Sequence, residues 1–136
     1  MAGRPVLDSD ILIDYLRGAG PGRDLVKALA RGIGYQVTAV TAFELALGRS
    51  YWENPRPVHA VLAAPALMLT RKAGLRAGAL LAELRGRGEA IGVRDAMQAG
   101  ICLETGSTLV TRNASHFERV PDLSLSDPLD LIDKLR

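Results

Sequence analysis

The chain has 136 residues, enough for one domain over 1–136 with a core of its own. Hydrophobic residues make up 48% and charged residues 24%, the balance of an ordinary globular protein rather than a disordered one. A net charge of +2 is too small to argue for nucleic acid, although the basic set is fourteen arginines against three lysines, and arginine forks suit phosphate or carboxylate.

In chain order, Val6-Leu7 forms a short apolar run of the buried-strand type, ending at Asp8. Ile11, Leu12, Tyr15 and Leu16 follow at helical spacing, and Gly18 closes that helix. Gly20-Pro21-Gly22 reads as a turn, and Asp24 to Arg31 as a second helix stopped by Gly32. Tyr35 to Val40 is rich in β-branched residues and predicts a strand. Thr41 to Gly48 predicts a helix, with Thr41 and Glu44 in capping-box spacing. Pro55 and Pro57 break the chain before a helix over Val58 to Ala64, and Leu67 to Leu69 predicts a short strand. Helices are expected over Lys72 to Arg85 and Val93 to Glu104, then strands over Thr108 to Thr111 and Leu123 to Leu125. Pro128 to Leu135 closes the chain as a helix with Asp127 at its N-cap and Pro128 at its first position. Alternating strands and helices predict a three-layer α/β fold around a mainly parallel sheet.

One cysteine, Cys102, excludes an intrachain disulfide. With only two histidines beside it, a zinc site of nitrogen and sulfur ligands is not expected, and any metal should be a hard cation held by oxygens. The longest apolar stretch, Val58 to Leu69, is interrupted by Pro65 and too short to span a bilayer. Met1 to Pro5 runs straight into a strand without a signal-peptide pattern, so the expectation is a cytoplasmic protein with no membrane partner.

Ligands of parallel α/β folds sit beyond the carboxyl ends of the strands, which directs attention to the acids there. Asp8 follows a strand, yet it is equally suited to cap the next helix. Glu44 fits a capping box, Asp95 lies in a first helical turn where acids meet the dipole, and Asn113 suits a turn. Jointly they matter more. Two follow strands and two open helices, so the fold brings three carboxylates towards one edge. Carboxylates in close company raise each other's pKa, and Mg²⁺ or Mn²⁺ relieves that repulsion through oxygen ligands. Such a cation supports phosphoryl chemistry.

Four segments resemble the motifs of PIN-domain nucleases, specifically the VapC-type toxins of bacterial toxin–antitoxin pairs. They are Val6-Leu7-Asp8-Ser9-Asp10-Ile11-Leu12-Ile13, Val40 to Gly48 around Glu44, Asp95-Ala96-Met97-Gln98-Ala99-Gly100, and Leu109 to Phe117 followed by Val120-Pro121. They stand in family order over nearly the whole chain. The resemblance implies that Asp8, Glu44 and Asp95 carry Mg²⁺ or Mn²⁺, with Asn113 at a fourth position commonly occupied by Asp. It also implies support from the Thr111 hydroxyl and from Ser9. The third motif departs mildly from the usual Asp-x-x-Ile-Ala-Ala, which is read as a matter of packing. His116 is read as structural or surface, and Arg94 and Arg112 flank the site. The implied activity is metal-dependent endoribonuclease cleavage of cellular RNA, by a homodimer that a VapB-type antitoxin blocks. Alternatives are a PIN-type processing nuclease outside any toxin system and a non-cleaving PIN module that binds RNA or a partner. Asp8-Ser9-Asp10 after a strand also suggests an aspartate-nucleophile phosphatase, but Lys27, Lys72 and Lys134 lack the context such an enzyme needs.

Overall fold

The computed structural model describes residues 3–136; the reading of the N-terminus as lacking a signal peptide involves Met1 and Ala2, which lie outside them. Strands β1 (Val6–Leu7), β4 (Leu109–Val110) and β5 (Leu125–Ser126) form a parallel sheet in the order β1-β4-β5. Strands β2 (Val37–Thr38) and β3 (Ala66–Leu67) pair in parallel beside it. A parallel bridge between Val6 and Gln36 joins the two, with Leu7 N donating to Gln36 O at 3.0 Å and Gln36 N to Pro5 O at 2.8 Å. The working order is therefore β3-β2-β1-β4-β5, with β1 central. The direction of chain progression reverses between β1 and β4, the switch point where such sheets open a crevice at their carboxyl ends.

Side chains alternate across a strand, and that alternation builds the layers. Leu7 and Val110 pack with Ile11, Leu12, Leu25, Leu29, Val58, Val61, Leu131 and Ile132 on one face. Val6 and Leu109 pack with Leu80, Leu81, Leu84, Ala99, Cys102 and Phe117 on the other. One face is thus covered by helices α1 (Ser9–Arg17), α2 (Pro21–Arg31), α5 (Arg56–Leu62) and α9 (Pro128–Leu135), the opposite one by α6 (Arg71–Gly86), α7 (Val93–Thr105) and α8 (Ala114–Phe117). Helices α3 (Ala39–Leu47) and α4 (Arg49–Glu53) complete the set. The expected three-layer fold stands. No described helix is long and apolar enough to cross a membrane.

Several boundaries differ from the sequence expectations, each for a local reason. Gly20-Pro21-Gly22 is not a turn between helices: Pro21 opens α2, where its missing N–H costs nothing. Gly22 N instead donates to the buried Asp14 carboxylate at 3.0 Å, and a Cβ on Gly22 would fall 2.5 Å from Ile11 O. The strand expected over Tyr35 to Val40 ends at Thr38, because the Thr38 hydroxyl accepts from Thr41 N at 3.1 Å and caps α3. The box is therefore Thr38 to Thr41, and Glu44 sits one turn further on with no capping duty. The helix expected over Val58 to Ala64 starts at Arg56, with Pro57 in its first turn. The strands expected over Leu67 to Leu69 and Leu123 to Leu125 are Ala66–Leu67 and Leu125–Ser126. The short α4 and α8 carry too little periodicity to be read from sequence. Asp127 caps α9 as expected, accepting from Leu129 N at 2.8 Å.

Helices α6 and α7 approach closely at Gly100, where an added Cβ would meet Ala73 O at 2.7 Å and Ala77 Cβ at 2.8 Å. Alanine is the better helix former by about 1 kcal/mol, but overpacking costs about 1–3 kcal/mol. The contact is against backbone, so overpacking wins. Gly100→Ala is expected to lower the urea unfolding midpoint, and an unchanged or higher midpoint would show that the helices can part without cost.

Candidate functional site

Asp8 leaves the carboxyl end of the central strand and is buried. It is the N-cap of α1: its Oδ1 accepts from Ser9 N at 2.9 Å. The same oxygen accepts from Gln98 Nε2 at 3.2 Å, reaching across from α7. Across the switch point, Thr111 directly follows β4, fully buried. Its hydroxyl donates to Asp10 Oδ2 at 3.3 Å and accepts from Asn113 N at 3.1 Å. Asp10 Oδ2 also accepts from Arg112 N at 3.0 Å, while Asp10 Oδ1 is buried without a hydrogen-bond partner.

Glu44 on α3 and Asp95 in the first turn of α7 line the outer side of this cluster, and each meets a basic side chain. Arg94 Nη1 donates to Glu44 Oε2 at 2.7 Å, and His116 Nε2 stands 3.2 Å from Asp95 Oδ2. Arg112 Nε lies 3.5 Å from Asp14 Oδ2 and 3.9 Å from Asp10 Oδ2.

The electrostatics follow from burial. Desolvation, reinforced by the charge of Asp10, pushes the Asp8 carboxyl up to about 7; the bond from Ser9 N and the nearby Thr111 hydroxyl act against it, and the Glu44 charge adds to the rise. Burial also raises Asp10, opposed by the backbone N–H and guanidinium of Arg112. Glu44 is raised as well: its desolvation outweighs Arg94, and the Asp95 and Asp10 charges add to it, while the Ser9 hydroxyl acts in the opposite sense. Asp8, Asp10, Glu44 and Asp95 therefore form one coupled acidic group with more negative charge than its neighbours neutralise.

Of the residues singled out from sequence, Asp8, Glu44 and Asp95 are close enough to act on one another through this chain of charges, and Ser9 and Thr111 both touch carboxylates. They do not form a finished cage. Among the described residues, no three His, Cys, Asp or Glu side chains are gathered as they stand to hold a metal. The Asn113 side chain is exposed at the N-cap of α8 and makes no capping bond.

Three participants were missed or misplaced. Asp10 was singled out only within the aspartate-nucleophile reading, though an acid two residues after Asp8 was the available signal. His116, read as structural or surface, contacts Asp95. Gln98, read as a packing departure, bonds Asp8 directly. A polar residue at a position buried by helical periodicity was its signal.

A cleft of about 250 Å³ adjoins the cluster, lined by Ile13, Leu16, Glu44, Leu45, Tyr51 and Val58. A larger one of about 360 Å³ lies at the opposite ends of the strands, by Arg4, Gln36 and Thr108, away from every acid of the cluster. Of the coupled carboxylates, Glu44 lines the smaller cleft and none lines the larger.

The family model for the PIN domain matches residues 6–123. The chain belongs to the PIN domain family, whose chemistry is that of nucleases. A chain of the DNA-bound VapBC from Salmonella typhimurium has the same fold, with TM-score 0.76 and 20% identity over 93% of this chain and 98% of that one. VapBC2 from Rickettsia felis, bound to a DNA fragment from its promoter, gives TM-score 0.74 and 20% identity over 90% and 96%. PAE2754 from Pyrobaculum aerophilum gives 0.64 and 19% over 99% and 96%. No curated protein matches the sequence.

The raised Asp8 carboxyl fixes the sign of a pH effect. Its folded value of about 7 lies above the ordinary 3.8, so its contribution to stability is complete below the lower value. That contribution is lost as pH rises through about 7, and the raised Asp10 and Glu44 act in the same direction. In chelator-containing buffer the folding free energy should fall by a few kcal/mol between about pH 5 and pH 8. Asp8→Asn should flatten most of that slope. A wild-type curve that rises over the interval would contradict the buried-charge account.

Proposed function

We propose that the chain is an Mg²⁺- or Mn²⁺-dependent endoribonuclease acting as the toxin of a toxin–antitoxin pair. The observation that carries this reading is the desolvated, under-neutralised carboxylate group at the switch point of a PIN-family sheet. Its donors are all oxygens, and the orphaned Asp10 Oδ1 adds one with no other partner. That donor set fits a hard divalent cation. The only thiol, Cys102, is buried and pushed up to about 12 by desolvation, so it offers no competing soft ligand. Asp8, Glu44 and Asp95 would hold the cation, with Asn113 contributing at the rim and Asp10 behind.

When bound, such a cation polarises water for attack and offsets charge building on a phosphodiester. The chain's own contributions are distinct. Ser9 N and Gln98 hold Asp8, and Thr111 holds Asp10. Arg94 is half exposed and, once Glu44 turns to a cation, its fork is free to pair with an RNA phosphate. Arg112 sits similarly beside Asp10 and Asp14.

The surface supports a protein partner. Phe43 and Leu47 stand one turn apart on α3, exposed at 53% and 62%, and Trp52 on α4 is exposed at 75%. Apolar groups grouped in this way mark interaction surfaces. The half-apolar cleft beside Glu44 is suited to a segment of a VapB-type antitoxin, and the α3–α4 face to a second copy of the chain in a homodimer. The solved VapBC complexes that share this fold support a toxin–antitoxin partnership.

Purified protein should cleave RNA with Mg²⁺ or Mn²⁺ and stop when EDTA is added. Asp8→Asn and Asp95→Asn should each lower the rate by about a hundredfold or more, as losses of a charge at the reacting centre do. Cleavage at the wild-type rate by both variants would place the activity elsewhere. Binding of RNA without cleavage would favour a PIN module that only binds.

A further inference from the structure

Gln98 has no role in the account of charge at the site, yet it is 1% exposed and lies in the middle of α7. Burying a primary amide is costly unless each of its groups finds a partner. Here each does. Its Oε1 accepts from the Thr38 hydroxyl at 2.5 Å. Its Nε2 donates one proton to Thr41 Oγ1 at 3.0 Å and the other to Asp8 Oδ1 at 3.2 Å. Thr38 Oγ1 in turn accepts from Thr41 N. With nitrogen facing Asp8, the amide matches the ionised form of that carboxylate, which only accepts.

This network ties the ends of β1 and β2 and the start of α3 to one side chain of α7. It also makes the two oxygens of Asp8 unequal. Oδ1 receives both Ser9 N and Gln98 Nε2, while among the described residues no hydrogen bond falls on Oδ2, the oxygen left for a further ligand. Ser9 N alone would let the carboxylate swing about its Cβ–Cγ bond. The second donor, approaching from a different helix, removes that freedom.

We infer that Gln98 is a positioning residue that locks the Asp8 carboxylate in the orientation that presents Oδ2 to a divalent cation. The inference rests on the metal reading proposed above. Its energetic logic is preorganisation, since groups that orient a metal ligand typically change affinity by about 10–100-fold when lost.

The test is Mn²⁺ binding to the full chain, followed by electron paramagnetic resonance, which needs no turnover. Gln98→Met keeps volume and helix propensity but removes both donors. It is expected to weaken Mn²⁺ binding about tenfold or more. Gly100→Ala serves as the stability control: it destabilises the same helix without touching the network, and should bind Mn²⁺ within about twofold of wild type. Gln98→Met binding as tightly as wild type overturns the inference, and so does an equal loss in Gly100→Ala, which would trace the effect to stability alone. Should Gln98→Met fail to fold, Thr41→Val removes the other acceptor of the same amide and is expected to weaken binding severalfold; unchanged binding there also overturns it. Failure of the underlying metal reading is recognised separately, by absent wild-type binding or undiminished binding in Asp8→Asn, and the inference falls with it.

Discussion

A carboxylate sunk at the end of the central strand costs free energy that the fold must offset. At the end of β1, in the middle of five parallel strands, Asp8 is buried but for 7% of its surface, and the reversal of strand order between β1 and β4 sets Asp10 and Thr111 beside it. Much of the surrounding architecture is a response to that burial. The first turn of α1 turns an N–H towards Asp8, and α7 sends the Gln98 amide in from the opposite layer. These donors are neutral. They stabilise the orientation of the charge without cancelling it.

Cancellation is left to the rim. Arg94 with Glu44 is a partly exposed pair of the kind worth about 0–1 kcal/mol, and the His116 ring meets Asp95 nearby. The two halves of the site thus differ in character. The inner half is fixed by buried hydrogen bonds between different elements, and the outer half is held by weak, exchangeable ion pairs. An arrangement of that kind retains its shape when rim cations are traded for another cation or for a phosphate, which is what the proposed chemistry requires.

The fold was legible because β1 and β4 are buried on both faces and read as continuous apolar runs bounded by helices of clear period. Asp8 and Asp95 stood out as candidates because strand ends and first turns of helices are where a parallel sheet gathers polar groups, whereas Glu44 lies a turn deeper in α3. What escaped had physical reasons. Pro21 and Gly22 look like a turn, since nothing local reveals that Asp14 waits eight residues back to receive Gly22 N. Thr38 and Thr41 are both able to cap, and propensity alone favoured the wrong one because β-branched Val40 suits a strand. Gln98 and His116 owe their importance to residues far away in sequence, Asp8 and Asp95. Pairings at such separation are properties of the folded chain and leave no trace in local pattern.

The central claim is that the coupled carboxylates at the switch point share a divalent cation. Its most direct test is an anomalous difference map from crystals of the wild-type chain grown with Mn²⁺. The account predicts a single strong peak bonded to Asp8 and Asp95, with Glu44 drawn away from Arg94. A map with no peak there, or with manganese bound only at another surface, would contradict it.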